Sequence, residues 1–338
     1  MAVTMRDVAE RAGVSAITVS RVINGTGYVH EETQARVLAA IEAMRYVPNS
    51  LARSLRSQQT STLALLVTDI TNSFWTTVAR GVEDEAAAQN YAIFLCNTDE
   101  DPAKEDRYLE MLTQRRVDGL LIGPTPDSAS MLSRLHTLDI KFVLIDRAVD
   151  GIAADTVRSD SRGGAANITQ HMLTTGHQRV AFIGGPLTTS TGRDRLNGYR
   201  AAHMAAGLAI DTELIKIGSY HRESGRELTS ELLAAERRPT AIFAGNNQIA
   251  LGVLDALVAA RMHLPNDMAV ISFDDLPGVD GYGPFMTAVI QPAYQIGRIA
   301  TRLLLERIAD ARDEVEEIVL PTQLVIRRSC GCNAVPVV

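Results

Sequence analysis

Apolar residues recur at helical spacing in three short stretches near the start of the chain. Met5, Val8, Ala9 and Ala12 share one face and predict a helix over 5–12. Gly13 allows a tight turn, and Ser15 is placed to cap a second helix. Val19, Val22 and Ile23 predict that helix over 16–24, and its other face carries Ile17, Ser20, Arg21 and Asn24. Val37, Leu38, Ile41 and Met44 predict a third over 31–45, closed by Pro48, which disfavours helix at the residue before it. Two short helices across a glycine-containing turn, with a third behind, read as a helix-turn-helix; the competing reading is a small helical bundle with no DNA role. Residues 50–56, Ser-Leu-Ala-Arg-Ser-Leu-Arg, make one or two helical turns, too short to stand alone, before a polar linker. Arginines beside small residues and an exposed leucine suit a minor groove, as counter-charge and as wedge.

From residue 62 the pattern changes. Short apolar runs at 63–67, 92–95, 119–122 and 142–145 predict strands, separated by amphipathic stretches at 74–90, 104–115 and 129–138. The pattern restarts with helices at 165–174, 195–206, 223–235 and 249–260 around strands at 180–183, 214–217, 241–244 and 269–273. Such alternation predicts parallel sheets covered on both faces, and two runs predict two doubly wound lobes. The expected fold class is therefore an all-α helix-turn-helix head and an α/β core of two doubly wound parallel-sheet lobes. Ligands of such sheets sit beyond the carboxyl ends of the strands. Those ends carry Thr68-Asp69, Asp146-Arg147, Gly184-Gly185-Pro186, Ala244-Gly245-Asn246 and Asp274-Asp275, a polar ring with few titratable bases.

Composition narrows the function. The 338 residues carry a net charge of −7, unevenly spread: the first 60 hold seven arginines against five acids, a net +2, leaving −9 on the rest. A slightly basic head on an acidic body means that any nucleic acid meets the head. No apolar run reaches membrane-spanning length and the start lacks a secretory pattern, so a cytoplasmic protein is expected, without a membrane partner. Three cysteines, Cys96, Cys330 and Cys332, make no disulfide framework. A nucleophile elbow, a phosphate loop and a Cys/His cluster at metal spacing are all missing from the sequence, so neither an enzyme nor a cofactor is expected. The Cys-Gly-Cys near the end carries no metal expectation by itself, and histidines 171, 177, 203, 221 and 263 look scattered.

Several segments resemble the lac repressor (LacI/GalR) family. In the head these are Met5-Arg6-Asp7-Val8-Ala9, Ala12-Gly13-Val14-Ser15, Thr18-Val19-Ser20-Arg21-Val22-Ile23-Asn24 and Tyr46-x-Pro48-Asn49-x-x-Ala52-Arg53-Ser54-Leu55. In the body they include Gly176-His177-x-Arg179-Val180-Ala181-Phe182-Ile183-Gly184-Gly185-Pro186, Asn246-x-Gln248-x-Ala250-Leu251-Gly252 and Phe273-Asp274-Asp275. The resemblance implies a core like that of periplasmic sugar-binding proteins, with a DNA-binding domain over 1–49 and a hinge helix and linker over 50–61. The core over 62–338 then divides into an N-lobe of about 62–160 and 291–321 and a C-lobe of about 161–290 and 322–330.

The resemblance also implies site residues by position. Ala16, Ile17 and Arg21 would face base edges, Thr18, Ser20 and Asn24 would meet phosphates, and Ala52 and Leu55 would enter the minor groove. Of these, Arg21 can donate two hydrogen bonds to a guanine edge, whereas Ala16 and Ile17 offer only apolar contact. Effector contacts would be Asp69, Phe74, Trp75, Asp146, Thr191, Arg195, Tyr220, Asn246, Asp274 and Gln291. Carboxylates accept hydroxyls, Arg195 and Asn246 donate, and flat rings cover the C–H faces of a sugar. The expected partners are double-stranded operator DNA, a second copy of the chain, and a small effector that is a sugar, sugar acid or sugar phosphate. A dimer is expected because few residues come after Arg328 and they lack heptads. Asn247 stands where acids are frequent in the family, and Thr189 replaces the arginine of purine-sensing members. Two alternatives stay open: a sugar-binding protein without DNA function, and a co-regulator controlled by a partner protein.

Overall fold

The computed structural model describes residues 3–46, 59–276 and 285–332. The expected hinge contacts Ala52 and Leu55 lie outside the described residues, as does the side chain of Asn24. The chain divides into two compact units, Met1–Thr60 and Ser61–Val338.

In the first unit, helix α1 (Met5–Ala12) starts on a reciprocal cap: Asp7 Oδ2 accepts from the Thr4 backbone N–H at 2.7 Å, and Asp7 N donates to Thr4 Oγ1. Gly13, at φ 66°, ends it in the left-handed conformation that glycine adopts without a Cβ penalty. Helix α2 (Ala16–Asn24) begins on the Ser15 hydroxyl, and α3 (Glu31–Ala43) closes the unit. Val8, Ala9, Ala12, Val19, Val37, Ala40 and Tyr46 form its core. Leu38, expected on the buried stripe of α3, is instead half exposed, because it lies about 100° round the helix from Val37.

The second unit holds two six-stranded sheets. The first half of the chain supplies β1 (Thr62–Val67), α4 (Ser73–Ala88), β2 (Ala92–Asn97), α5 (Pro102–Gln114), β3 (Gly119–Ile122), α6 (Ala129–Thr137), β4 (Phe142–Ile145) and β5 (Asp155–Ser159). After α7 (Ser161–Thr174) come β6 (Val180–Gly184), α8 (Ser190–Ala205), β7 (Ile215–Ile217), α9 (Arg222–Ala234), β8 (Ala241–Ala244), α10 (Asn247–Ala259) and β9 (Ala269–Phe273). The chain ends with β10 (Thr287–Ile290), α11 (Ala293–Ile308), β11 (Glu317–Leu320) and β12 (Gln323–Val325).

The first sheet runs β11-β5-β4-β3-β1-β2 and is parallel throughout; the second runs β12-β10-β9-β8-β6-β7, with only β12 antiparallel. Each sheet therefore reverses its order of growth between its first and third strands, β1 and β3 in one and β6 and β8 in the other, which is where such sheets form a ligand crevice. The chain passes between the sheets three times, after Ser159, after Ile290 and after Leu320.

Strand β5 carries little apolar pattern, Asp-Thr-Val-Arg-Ser, yet is almost wholly buried, so periodicity alone missed it. The periodic reading also stopped at 273 and did not include α11, which packs Ile296, Ala300, Leu303 and Leu304 into the core under the first sheet. Helices α4 and α11 cross at backbone contact. A Cβ on Gly81 would lie 2.2 Å from the Tyr294 carbonyl oxygen, and one on Gly297 2.2 Å from that of Val78. Among the described residues no helix is long and apolar enough to cross a membrane.

Candidate functional site

Five helices of the second unit start earlier than their apolar periodicity suggests, because their first turns are capped by a polar side chain. Asn72, Asp101, Asp160, Thr189 and Asn246 each accept a backbone N–H from the helix they open. Several of these polar turns, with the loops at the strand carboxyl ends, enclose one cavity between the two sheets. It is lined by Thr68, Asp69, Asn72, Phe74, Trp75, Glu100, Asp146, Arg147, Thr191, Arg195, Tyr220, His221, Asn246, Asp274 and Gln291. All ten residues expected to meet an effector are in that wall. The free space between them is about 30 Å³, room for about two waters.

The two sheets contribute matching parts. Asp146 comes directly after β4 and Asp274 directly after β9. Both have φ 68°, and each backbone N–H donates at 2.9 Å to the next strand, to Val157 O and Val289 O respectively. Aspartate tolerates this left-handed conformation better than most residues, and here it turns each carboxylate into the cavity. An aromatic ring seats on a strand-end glycine in each half. A Cβ on Gly123 would come within 2.2 Å of the Trp75 ring, and one on Gly185 within 2.2 Å of Tyr220. Phe74 meets Trp75 edge-on at 5.1 Å between centroids.

Arg195 donates to Gly245 O at 2.7 Å and lies over the Phe273 ring at 3.9 Å. The Tyr220 hydroxyl is held by Thr189 (2.7 Å) and Thr191 (3.0 Å). Gln291 Nε2 donates to Asp274 Oδ1 at 2.6 Å, and its carbonyl oxygen accepts from Ser159. Asp146 Oδ1 and Arg195 Nε are buried with no hydrogen-bond partner among the described residues.

Sequence reasoning did not place Asn72, Glu100, Arg147 or His221 among the effector contacts, although all four line the cavity. Glu100 and Arg147 form a buried pair, Nη1 to Oε2 at 2.8 Å and Nη2 to Oε1 at 2.6 Å, with Nη1 also donating to Pro124 O. Burial works against the Glu100 carboxylate, but Arg147 outweighs it and holds its pKa below the ordinary value. Burial pushes the Asp146 carboxyl up, against the pull of Arg147 and Arg195. Burial likewise pushes Asp274 up to about 6, with Arg195 and the Gln291 bond opposing and the Asp146 charge adding to the rise. The cavity thus holds four carboxylates, Asp69, Glu100, Asp146 and Asp274, against two guanidinium groups.

Asn247 is outside the cavity wall. Its Nδ2 donates across the gap to Asn72 Oδ1 at 2.9 Å, alongside Ser73 Oγ at 3.3 Å. Further contacts join the halves at the rim: Ser190 Oγ accepts from Ala148 N at 3.0 Å, and Arg193 pairs with Asp150 at 3.0 Å.

In the first unit Ile17 is 67% exposed and Arg21 is exposed; Thr18 and Ser20 are half exposed, while Ala16 packs against the core. The Thr18 hydroxyl lies 3.0 Å from that of Ser15, within the helix cap. Tyr28, 86% exposed, is a large side chain of this surface that sequence reasoning did not single out.

Residues 4–49 match the bacterial regulatory proteins of the lacI family, and residues 60–328 match the periplasmic binding proteins and sugar binding domain of the LacI family. The chain is 38% identical over 329 residues to the ribose operon repressor of Escherichia coli strain K12, covering 96% of this chain and 99% of that one. It is 35% identical over 327 residues to the HTH-type transcriptional repressor PurR of Photobacterium profundum, covering 96% and 98%. The lac repressor dimer bound to operator and the anti-inducer ONPF matches the fold with a TM-score of 0.86 at 25% identity, over 98% of this chain and 99% of that one.

Proposed function

The chain belongs to the LacI family of DNA-binding transcriptional regulators with a sugar-binding effector core, and from that premise we propose that its effector is a small neutral sugar. The observation that carries this is the charge and shape of the cavity between the sheets. Four carboxylates face two guanidinium groups, and Arg147 is already bound bidentate by Glu100. A sugar acid or sugar phosphate would bring more negative charge into a wall whose cations are already outnumbered. Hydroxyls, by contrast, donate to Asp146 and Asp274 and accept from Arg195 and Asn246, while Trp75, Phe74 and Tyr220 cover C–H faces. The Thr189 hydroxyl is already engaged with Pro186 O, Tyr220 and Gly192 N, and Thr189 is not part of the cavity wall, so it does not serve a purine edge there. The similarity to a ribose operon repressor makes ribose the first sugar to test.

In this proposal the protein acts as a homodimer in the cytoplasm, one head per operator half-site. Ile17 and Arg21 read base edges, Thr18, Ser20 and Asn24 hold phosphates, and the hinge over 50–61, with Ala52 and Leu55, binds the minor groove. Sugar closes the two lobes on itself, and the closure changes whether the hinge segments pair. No catalytic step is involved. The test is selection of DNA from a random library by the intact protein, then binding of the selected sequence with and without ribose, other neutral sugars and their phosphates. A near-palindrome whose affinity shifts with a neutral sugar supports the proposal. A shift produced only by the phosphorylated forms would overturn the neutral-sugar reading, and no enrichment at all would overturn unaided sequence recognition.

A further inference from the structure

The Cys-Gly-Cys at the end of the described chain gains a third ligand from far away in sequence. Helix α7 delivers His171 from its last turn, and its Nε2 lies 3.4 Å from Cys330 Sγ. Cys332 Sγ lies 2.8 Å from Cys330 Sγ, and all three ligand atoms fall within 4.8 Å of one another. Gly331, at φ 75°, lets the backbone turn in the left-handed region between the two cysteines, whose thiols lie side by side.

We propose that His171, Cys330 and Cys332 form a three-ligand site for a soft or borderline metal ion with a filled d shell, with Zn2+ as the reference ion. Tetrahedral zinc with Zn–S of about 2.3 Å and Zn–N of about 2.05 Å puts sulfur and nitrogen about 3.6 Å apart and two sulfurs about 3.8 Å apart. The His171–Cys330 separation already fits. The two sulfurs must part by about 1 Å, a side-chain movement at Cys332, which is half buried where Cys330 is fully buried. The charge also balances. Burying one thiolate is unfavourable, but two thiolates around a dication leave a neutral group beside the apolar cluster that contains Cys330 and Cys332. Binding displaces one proton from each thiol to solvent, and the imidazole coordinates as the neutral base through Nε2. A fourth position stays open to water.

The site is remote from the sugar cavity. Ser329, in the same turn, accepts from Thr287 N at 2.7 Å and donates to Val270 O at 2.6 Å. That places the site at the amino ends of β9 and β10, whereas the cavity lies at the carboxyl ends. Its role would be to pin the closing segment of the chain against α7.

The test uses the full-length protein, kept reduced and stripped of metal, titrated with Zn2+ against a chromophoric chelator and with Co2+ by absorption. One Zn2+ per chain and a thiolate-to-cobalt charge-transfer band are expected. Cys332→Ser and His171→Ala should each weaken Zn2+ by at least the roughly 10–100-fold that loss of an outer-shell partner costs, while Cys96→Ser changes nothing. Because Cys332 is half buried, its variant should fold, which far-ultraviolet dichroism checks. Zn2+ bound equally by all variants, or not at all by the reduced protein, overturns the site. So does loss of both thiols to a disulfide in air at the same rate with or without Zn2+. None of these outcomes touches the sugar or DNA reading.

Discussion

Asp274 shows what a single side chain contributes. Its carboxyl, pushed up to about 6 from an ordinary 3.8, keeps a proton in the folded state that the unfolded chain gives up between about pH 4 and pH 6. The folded state binds more protons in that window, so this group makes stability fall as pH rises through it, with little further change above. Asp146, Asp194 and Glu105 shift in the same direction, while Glu100 shifts the other way. Asp274→Asn removes only its own share, so from pH 4 to 6 its thermal melting point should fall less, or rise more, than that of the natural chain. The same substitution should weaken sugar binding by roughly 10-fold or more, since hydrogen bonds to a charged group are worth about 1.5–3 kcal/mol. An unchanged pH profile, measured by thermal melts, would show that the carboxyl is not buried as described. In the head, Arg21 is exposed and outside the core cluster, so Arg21→Ala should leave folding intact. It should cost about 1–3 kcal/mol of operator affinity and relax preference at one base position, read by binding to single-base operator variants. At this scale, what the sequence made legible came through family resemblance: all ten expected effector contacts line one cavity. Asn72 and Glu100 escaped because their roles depend on Asn247 and Arg147, 175 and 47 residues away, and no local pattern announces such pairs.

Among elements, two glycines separate two kinds of constraint. Gly13 ends α1 at φ 66° in open space, so Gly13→Ala strains only the backbone conformation, a cost of about 1 kcal/mol. Gly297 has ordinary dihedrals, but a methyl there would meet the Val78 carbonyl at 2.2 Å, so α11 must move off α4. Gly297→Ala should cost clearly more, about 1–3 kcal/mol, and urea unfolding of each variant compares them; equal losses would contradict the close crossing. The elements also show where periodicity works and where it stops. Apolar runs located the cores of most strands well, because fully buried parallel strands are apolar throughout. Helix starts were placed late, at 165 rather than 161 and at 195 rather than 190, since amphipathic pattern begins after the polar capped turn. The second of these turns faces the cavity through Thr191, so part of the function was written where the hydrophobic signal is weak. Strand β5 shows the converse, a buried element whose central Val157 stands between polar neighbours held by hydrogen bonds and ion pairs, among them Asp155 with Arg307 at 2.5 Å.

For the molecule as a whole, the question is what holds the two sheets of the core around a ligand. The Asn247 bond to Asn72 spans the gap without entering the cavity. Asn247→Ala should therefore weaken sugar binding by roughly 2–10-fold, the worth of one ordinary hydrogen bond, without changing which sugar is preferred. A changed preference, measured across a sugar panel, would place Asn247 in the site after all. The lobes also had to be assembled from separated stretches of chain, which strand alternation could not reveal because it runs in sequence order. The central claim, that a neutral sugar in this cavity controls operator affinity, can be tested by a signal native to the protein. Trp75 is the chain's only tryptophan and it lies in the cavity wall. Its fluorescence should change saturably as a neutral sugar, ribose first, is titrated in. The apparent affinity should then shift when operator DNA is present, by the same factor by which that sugar shifts operator affinity. A saturable Trp75 signal with identical affinity in the presence and absence of operator would contradict the account, because the cavity would then bind sugar without controlling DNA.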